Sequence, residues 1–269
     1  MTIDLSSSTE PRIAVASHVL AEVQATAGRS SLPFIVIGAT ARDILSVAIV
    51  GTTPDRATAD VDIAIAIPTW HEFERLTAGL ERVGRHEHTF LVSGLPVDVV
   101  PFGGIETDAR TITWRDGSRM SAFGLREAYG ASLTALLPGG TTVRVPSLPG
   151  LASLKLTAWF DRRLETRRDA VDLQTIIGWC TSGTLLDDLY ENGVELLEAY
   201  GFDPDLASAH RLGNDIAGMF QSETQRLLDI LDGDNVARLV ADMPSTVTDQ
   251  AAIVRAVRSG LCGELPTDA

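Results

Sequence analysis

The sequence predicts an α+β protein in two parts: a mixed sheet with flanking helices over residues 1–146, then a helical domain over 147–269. Three observations predict this. Apolar runs of strand length alternate with stretches of helical spacing as far as residue 101. Pro146-Ser147-Leu148-Pro149-Gly150 then punctuates the chain. Almost everything beyond it reads as amphipathic helix interrupted by Gly, Pro or Asn.

Taken in order, Thr9-Glu10-Pro11 opens a helix that reaches about Ala27, with proline at a first-turn position. Leu32 to Gly38 is a buried strand ending at a glycine, and Ala39 to about Val50 has helical spacing. The run Asp60-Val61-Asp62-Ile63-Ala64-Ile65-Ala66-Ile67 is a strand closed by Pro68. Thr69-Trp70-His71-Glu72 has the form of a capping box and opens a helix to about Val83. Glu87–Val92 and Leu95–Pro101, separated by Ser93-Gly94, form a hairpin. Residues 111–146 hold short strands and a short helix, and helical segments follow to about residue 259.

Composition is that of an ordinary globular protein, 45% hydrophobic and 22% charged. The first residues lack a basic start and an apolar core, so they do not read as a signal peptide. No stretch approaches the roughly 20 apolar residues that span a bilayer, which argues against a membrane partner. Cys180 and Cys262 lie far apart without metal-type spacing and read as incidental thiols of a reducing cytoplasm. His86 and His88 share the alternation of a strand face, but two histidines alone are a weak metal signal. The net charge of −14 is unevenly spread. Residues 184–249 carry fourteen Asp/Glu against three Arg, a net of −11, which leaves −3 for the rest. The acidity therefore belongs to solvated helical faces and does not exclude a nucleic-acid partner.

Chemistry concentrates at Asp60 and Asp62. Residues i and i+2 of a strand point to one face, so the carboxylates project side by side, and like charges held that close call for a cation between them. Mg²⁺ takes such oxygen ligands and shares them with substrate phosphates. The alternative is a strand with one polar face, which the apolar flank Ile63–Ile67 disfavours. Asp98, in Pro96-Val97-Asp98-Val99-Val100, is a third carboxylate in an apolar strand. If the two strands are neighbours, three carboxylates converge, as two-metal phosphoryl transfer requires. Asp60 and Asp62 would then bridge the ions, while Asp98 binds the second ion and takes the acceptor proton. Gly38-Ala39-Thr40-Ala41-Arg42-Asp43 is a small-residue strand-to-helix turn whose backbone N–H groups suit a phosphate. In the second part, Lys155 lies amid apolar helix residues, where it either snorkels to solvent or meets a phosphate. Asp169 and Asp172, three apart, share a helix face. From Lys155 to Arg168 the net charge is +3.

As a set, these residues resemble the DNA polymerase β-like nucleotidyltransferase superfamily and, within it, the AbiEii/AbiGii toxin family. The likeness is carried by Gly38-Ala39-Thr40, by Thr58-Ala59-Asp60-Val61-Asp62, by Lys155 and Arg162-Arg163, and by Arg168-Asp169-Ala170-Val171-Asp172-Leu173. It departs at Ala39, where the superfamily has glycine or serine, leaving Thr40 or Thr58 to supply a hydroxyl. The interval from Gly38 to Asp60 is also longer than in compact members. The resemblance implies a nucleotidyltransferase using Mg²⁺ or Mn²⁺ and an NTP. Asp60, Asp62, Asp98, Lys155 and Asp169 would be its catalytic residues, with Asp60, Asp62 and Asp98 as metal ligands. Gly38, Ala39, Thr40, Arg42, Thr58, Lys155 and Asp172 would contact the nucleotide. Lys155 would hold the triphosphate; either Asp169 or Asp172 would be the further acidic residue, the other bracing the helix. It also implies a cytoplasmic toxin with a tRNA 3′ end as acceptor and an antitoxin as partner. A small-molecule or protein acceptor, or a silent binding module, are the alternatives.

Overall fold

The computed structural model describes residues 2–53 and 60–265 of the chain. It divides into two compact units, Met1–Ser147 and Leu148–Ala269.

The first unit runs β1 (Thr2–Asp4), α1 (Pro11–Arg29), β2 (Phe34–Ile37), α2 (Gly38–Val50), β3 (Val61–Ile67) and α3 (Trp70–Thr77). It continues through β4 (Glu81–Arg82), β5 (Thr89–Val92), β6 (Leu95–Gly103), β7 (Thr111–Thr113) and β8 (Arg119–Ser121). It ends with α4 (Leu125–Gly130), β9 (Leu133–Leu136) and β10 (Thr142–Val145). The main sheet has the order β2-β3-β6-β5-β4. Only β3 and β6 are parallel; β2, β5 and β4 join antiparallel. Strand β3 sits inside this sheet and reads as it should: Val61, Ile63, Ala64, Ile65 and Ile67 are all buried. A smaller sheet has β9 between β1 and β10.

The expected α+β class and most elements are present, with three differences. Helix α3 starts where the capping box placed it, the Thr69 hydroxyl accepting from Glu72 N–H at 3.4 Å. It stops at Thr77 instead of Val83, because Glu81 and Arg82 pair with Leu91 and Phe90 at the sheet edge. Asp60 lies one residue before β3 instead of within it. Strand β1 has no signal in the sequence pattern; it adds parallel to β9 and buries Ile3.

The second unit is entirely helical among its described residues: α5 (Leu148–Arg162), α6 (Arg168–Trp179), α7 (Gly183–Asn192), α8 (Val194–Ala199), α9 (Pro204–Phe220), α10 (Thr224–Ile230), α11 (Asn235–Asp242) and α12 (Gln250–Cys262). Helices α9 and α12 meet backbone to backbone through two glycines. A Cβ added at Gly213 would lie 2.9 Å from Leu261 N, and one at Gly260 would lie 2.9 Å from Asn214 N. Trp159, fully buried on α5, donates its indole N–H to Asp242 at 3.0 Å.

Candidate active site

The site of the first unit is built across adjacent strands. Ile37 on β2 pairs with Asp62 on β3, Asp62 with Asp98 on β6, and Asp98 with Thr89 on β5. Asp62 and Asp98 are register partners in the parallel pair, so their side chains leave the same face of neighbouring strands. Asp60 joins them from the residue before β3. One carboxylate oxygen from each of the three lies within 4.8 Å of the others, all half-buried. Such an all-oxygen donor set suits a hard divalent cation, and without one the like charges repel.

Gly38 follows β2 directly and opens α2 with φ +63°, a left-handed conformation that favours glycine. It also touches the carboxylate cluster. A Cβ here would lie 2.6 Å from Asp62 Cγ and closer still to Oδ2. The N-cap of α2 is Ile37, whose side chain makes no capping hydrogen bond, and the Asp62 carboxylate lies against the first residue of the helix. Ala39 is half-buried in that first turn and Thr40 is buried. Arg42 is buried too, its Nε and Nη2 at 3.1 and 2.7 Å from Asp43 Oδ1. Thr58 lies outside the described residues.

A cleft of about 240 Å³ opens beside Asp60, lined also by Thr40, Asp43, Val61 and Leu95 and by Pro11, Arg12, Val15 and Ala16 of α1. Arg12 at its edge lies 3.5 Å from Asp43.

Two further neighbours hold Asp98. The Thr89 hydroxyl donates to Oδ1 at 2.6 Å, and His88 Nε2 lies 3.9 Å from Oδ2. Burial pushes the His88 imidazole below its ordinary pKa, against the opposing pull of Asp98. Neither contact is among the site residues that the sequence motifs point to. A signal for Thr89 is nonetheless present: a two-residue turn at Ser93-Gly94, both with positive φ, fixes the hairpin so that counting back from it sets Thr89 opposite Asp98.

In the second unit, Lys155, Asp169 and Asp172 come together. The Lys155 ammonium, buried, lies 2.7 Å from Asp172 Oδ2 and 3.3 Å from Asp169 Oδ1. Arg162 forks onto Asp169, with Nε 2.9 Å from Oδ2 and Nη2 3.0 Å from Oδ1. Lys155 therefore neither snorkels to solvent nor stands unpaired. Two cations and two anions balance one another, as buried charge requires.

The chain matches the family described as nucleotidyl transferase AbiEii toxin, type IV TA system, over residues 23–251. No curated protein shows significant sequence similarity to it. Among solved structures it is similar to the antibiotic-resistance factor ANT(2'')-Ia, with 17% identity, 62% of this chain and 84% of that one covered, and a TM-score of 0.39. A nucleotidyltransferase-like protein from Paracoccidioides brasiliensis matches at 17% identity, covering 65% and 78%, with a TM-score of 0.42. A CCA-adding enzyme solved with ATP matches at 14% identity, covering 90% and 65%, with a TM-score of 0.32. With its family match spanning most of its length, the chain belongs to the AbiEii family of type IV toxin–antitoxin nucleotidyl transferases and is a nucleotidyltransferase.

Proposed function

We propose that the enzyme transfers a nucleoside monophosphate from an NTP to the 3′-terminal hydroxyl of a tRNA, acting in the cytoplasm as the toxin of a toxin–antitoxin or phage-defence pair. The observation that carries this is the convergence of Asp60, Asp62 and Asp98 beside the Gly38 turn. Mg²⁺, or Mn²⁺ in its place, held by the three carboxylates would supply neutralisation of the triphosphate charge. The first turn of α2, with Ala39 and Thr40, receives phosphate oxygens. Asp98 takes the proton of the acceptor hydroxyl. The hydroxyl oxygen bonds to the α-phosphorus, the bond from that phosphorus to the bridging oxygen breaks, and pyrophosphate leaves with the electron pair. Arg42 and Thr58 are assigned to nucleotide contact by family likeness, Lys155 to the triphosphate and Asp169 to the further acidic role. Asp172, the nearer partner of Lys155, is the brace.

A small molecule of the aminoglycoside kind or a protein side chain as acceptor is the second reading; the net charge of −14, which attracts cations, favours the small cationic molecule. Incubating α-labelled NTPs with total RNA, with and without Mg²⁺, separates the two. Label in tRNA that requires Mg²⁺ supports the proposal. Label only in protein or in a supplied aminoglycoside supports the second reading, and no transfer at all points to a silent binding module. Harm on expression that is relieved by Asp62→Ala, and again by the neighbouring gene product, supports the toxin and antitoxin roles.

A further inference from the structure

Three aromatic rings form a ladder that climbs from the core of the first unit to its surface. Trp114, 5% exposed, lies 5.2 Å from His88 with the planes at 32°. His88 in turn stacks on His86 at 5.3 Å and 23°. The Trp114 indole N–H has no hydrogen-bond partner among the described residues, so this ring acts through its faces. The outermost ring, His86, is exposed. Near-parallel imidazoles do not aim their nitrogens at a common point, which sets the pair apart from a metal clamp.

The ladder stands at a chosen place on the sheet. The Gly38 turn, where the donor phosphates are proposed to lie, follows β2, and Asp62 is on β3 next to it. Asp98, which takes the acceptor proton in that scheme, is on β6, and His88 Nε2 is 3.9 Å from its carboxylate. Donor and acceptor sides are thus separated along the strand order, and the exposed ring is on the acceptor side. Exposed Arg82 and Arg85 precede it in the same segment and supply positive charge for phosphates. Glu87 is drawn away, accepting from Asp116 N–H at 3.0 Å.

Resting on the nucleotidyl-transfer reading above, we propose that His86 is a stacking platform for a base at the single-stranded 3′ end of the acceptor RNA, extending the Trp114–His88–His86 ladder by one ring. Unpaired RNA ends are recognised in this way, by bases laid on aromatic faces with phosphates held by basic side chains.

The test uses the full chain and a fluorescein-labelled single-stranded RNA of about nine nucleotides with a free 3′-hydroxyl, followed by anisotropy. His86→Ala is expected to weaken binding at least about fivefold, and His86→Phe, which keeps a ring, to stay within about twofold of wild type. Equal binding by wild type and His86→Ala overturns the proposal, as does a wild-type protein that does not bind the RNA. Transfer from a labelled NTP to the same RNA is scored separately. If the binding pattern holds and no label enters, the acceptor assignment fails while the platform stands. If label enters and His86→Ala binds and reacts like wild type, the platform fails while the function stands.

Discussion

Asp62 and Asp98 are register partners on parallel neighbouring strands, and both carboxylates face Asp60 across less than 4.8 Å. Nothing in the packing of a sheet asks for this. Directly opposed like charges destabilise a strand pair, whereas the flanking register partners, Val61 with Val97 and Ile63 with Val99, are apolar pairs that stabilise it. The sheet holds the acids close together, and a divalent cation between them would relieve their repulsion.

Gly38 is the tightest point of that arrangement. Gly38→Ala places a methyl against Asp62 and forces an L-residue into a left-handed conformation, which alone costs about 1–2 kcal/mol. The expected result is a lower melting temperature and a transfer rate reduced by roughly 100-fold, since an ångström of misplacement is that costly. A melt and a single-turnover assay on the same preparation check both.

Thr89 holds Asp98 through one 2.6 Å hydrogen bond. Thr89→Val keeps the shape and removes the donor, so divalent-ion affinity should drop by about tenfold or more, as it does when an outer-shell partner is lost. Thr89→Ser should restore it. Calorimetric titration with Mn²⁺ distinguishes this from a packing defect, which serine would not repair.

Lys155 lies on Asp172 and shares Asp169 with Arg162. Lys155→Met takes a cation away from two buried carboxylates and should destabilise the second unit by about 3–5 kcal/mol. Denaturant unfolding measures this directly. A variant that loses transfer while keeping wild-type stability would show that the lysine serves the triphosphate and not the helix pair.

Acid sensitivity should come partly from His210 on α9, buried with Nδ1 2.9 Å from the Tyr200 hydroxyl. Burial lowers its pKa below the ordinary value of 6.5. In the unfolded chain the imidazole takes up its proton as pH falls through about 6.5, while the folded protein resists doing so. Stability contributed by neutral His210 is therefore full above pH 6.5 and declines below it. His210→Gln should flatten the decline in melting temperature between pH 7 and pH 5; an unchanged slope removes His210 as its source.

Asp62 and Asp98 were legible because carboxylates amid Ile, Val and Ala on inner strands are costly to bury, and Asp60 was legible by its spacing from Asp62, although it stands one residue before β3. The α+β class was legible from the switch between two- and four-residue spacing. Strand β1 was not, since three residues carry no period and its place depends on β9, more than a hundred residues away. Helix α3 stopped early because edge pairing by Glu81 and Arg82 outweighed the apolar spacing of Leu80 and Val83. The pairing of Lys155 with Asp169 and Asp172 was hidden in part. Spacing placed both acids on one face, but only the packing of α5 against α6 brings the ammonium of Lys155, the single lysine of the sequence, onto them.

If Asp60, Asp62 and Asp98 form one divalent-cation site, loss of either strand carboxylate weakens binding of the ion. Calorimetric titration of Mn²⁺ into wild type, Asp62→Asn and Asp98→Asn measures this. Binding by wild type, with each variant weakened at least about tenfold, is the expected result. Equal Mn²⁺ affinity in all three proteins would contradict it.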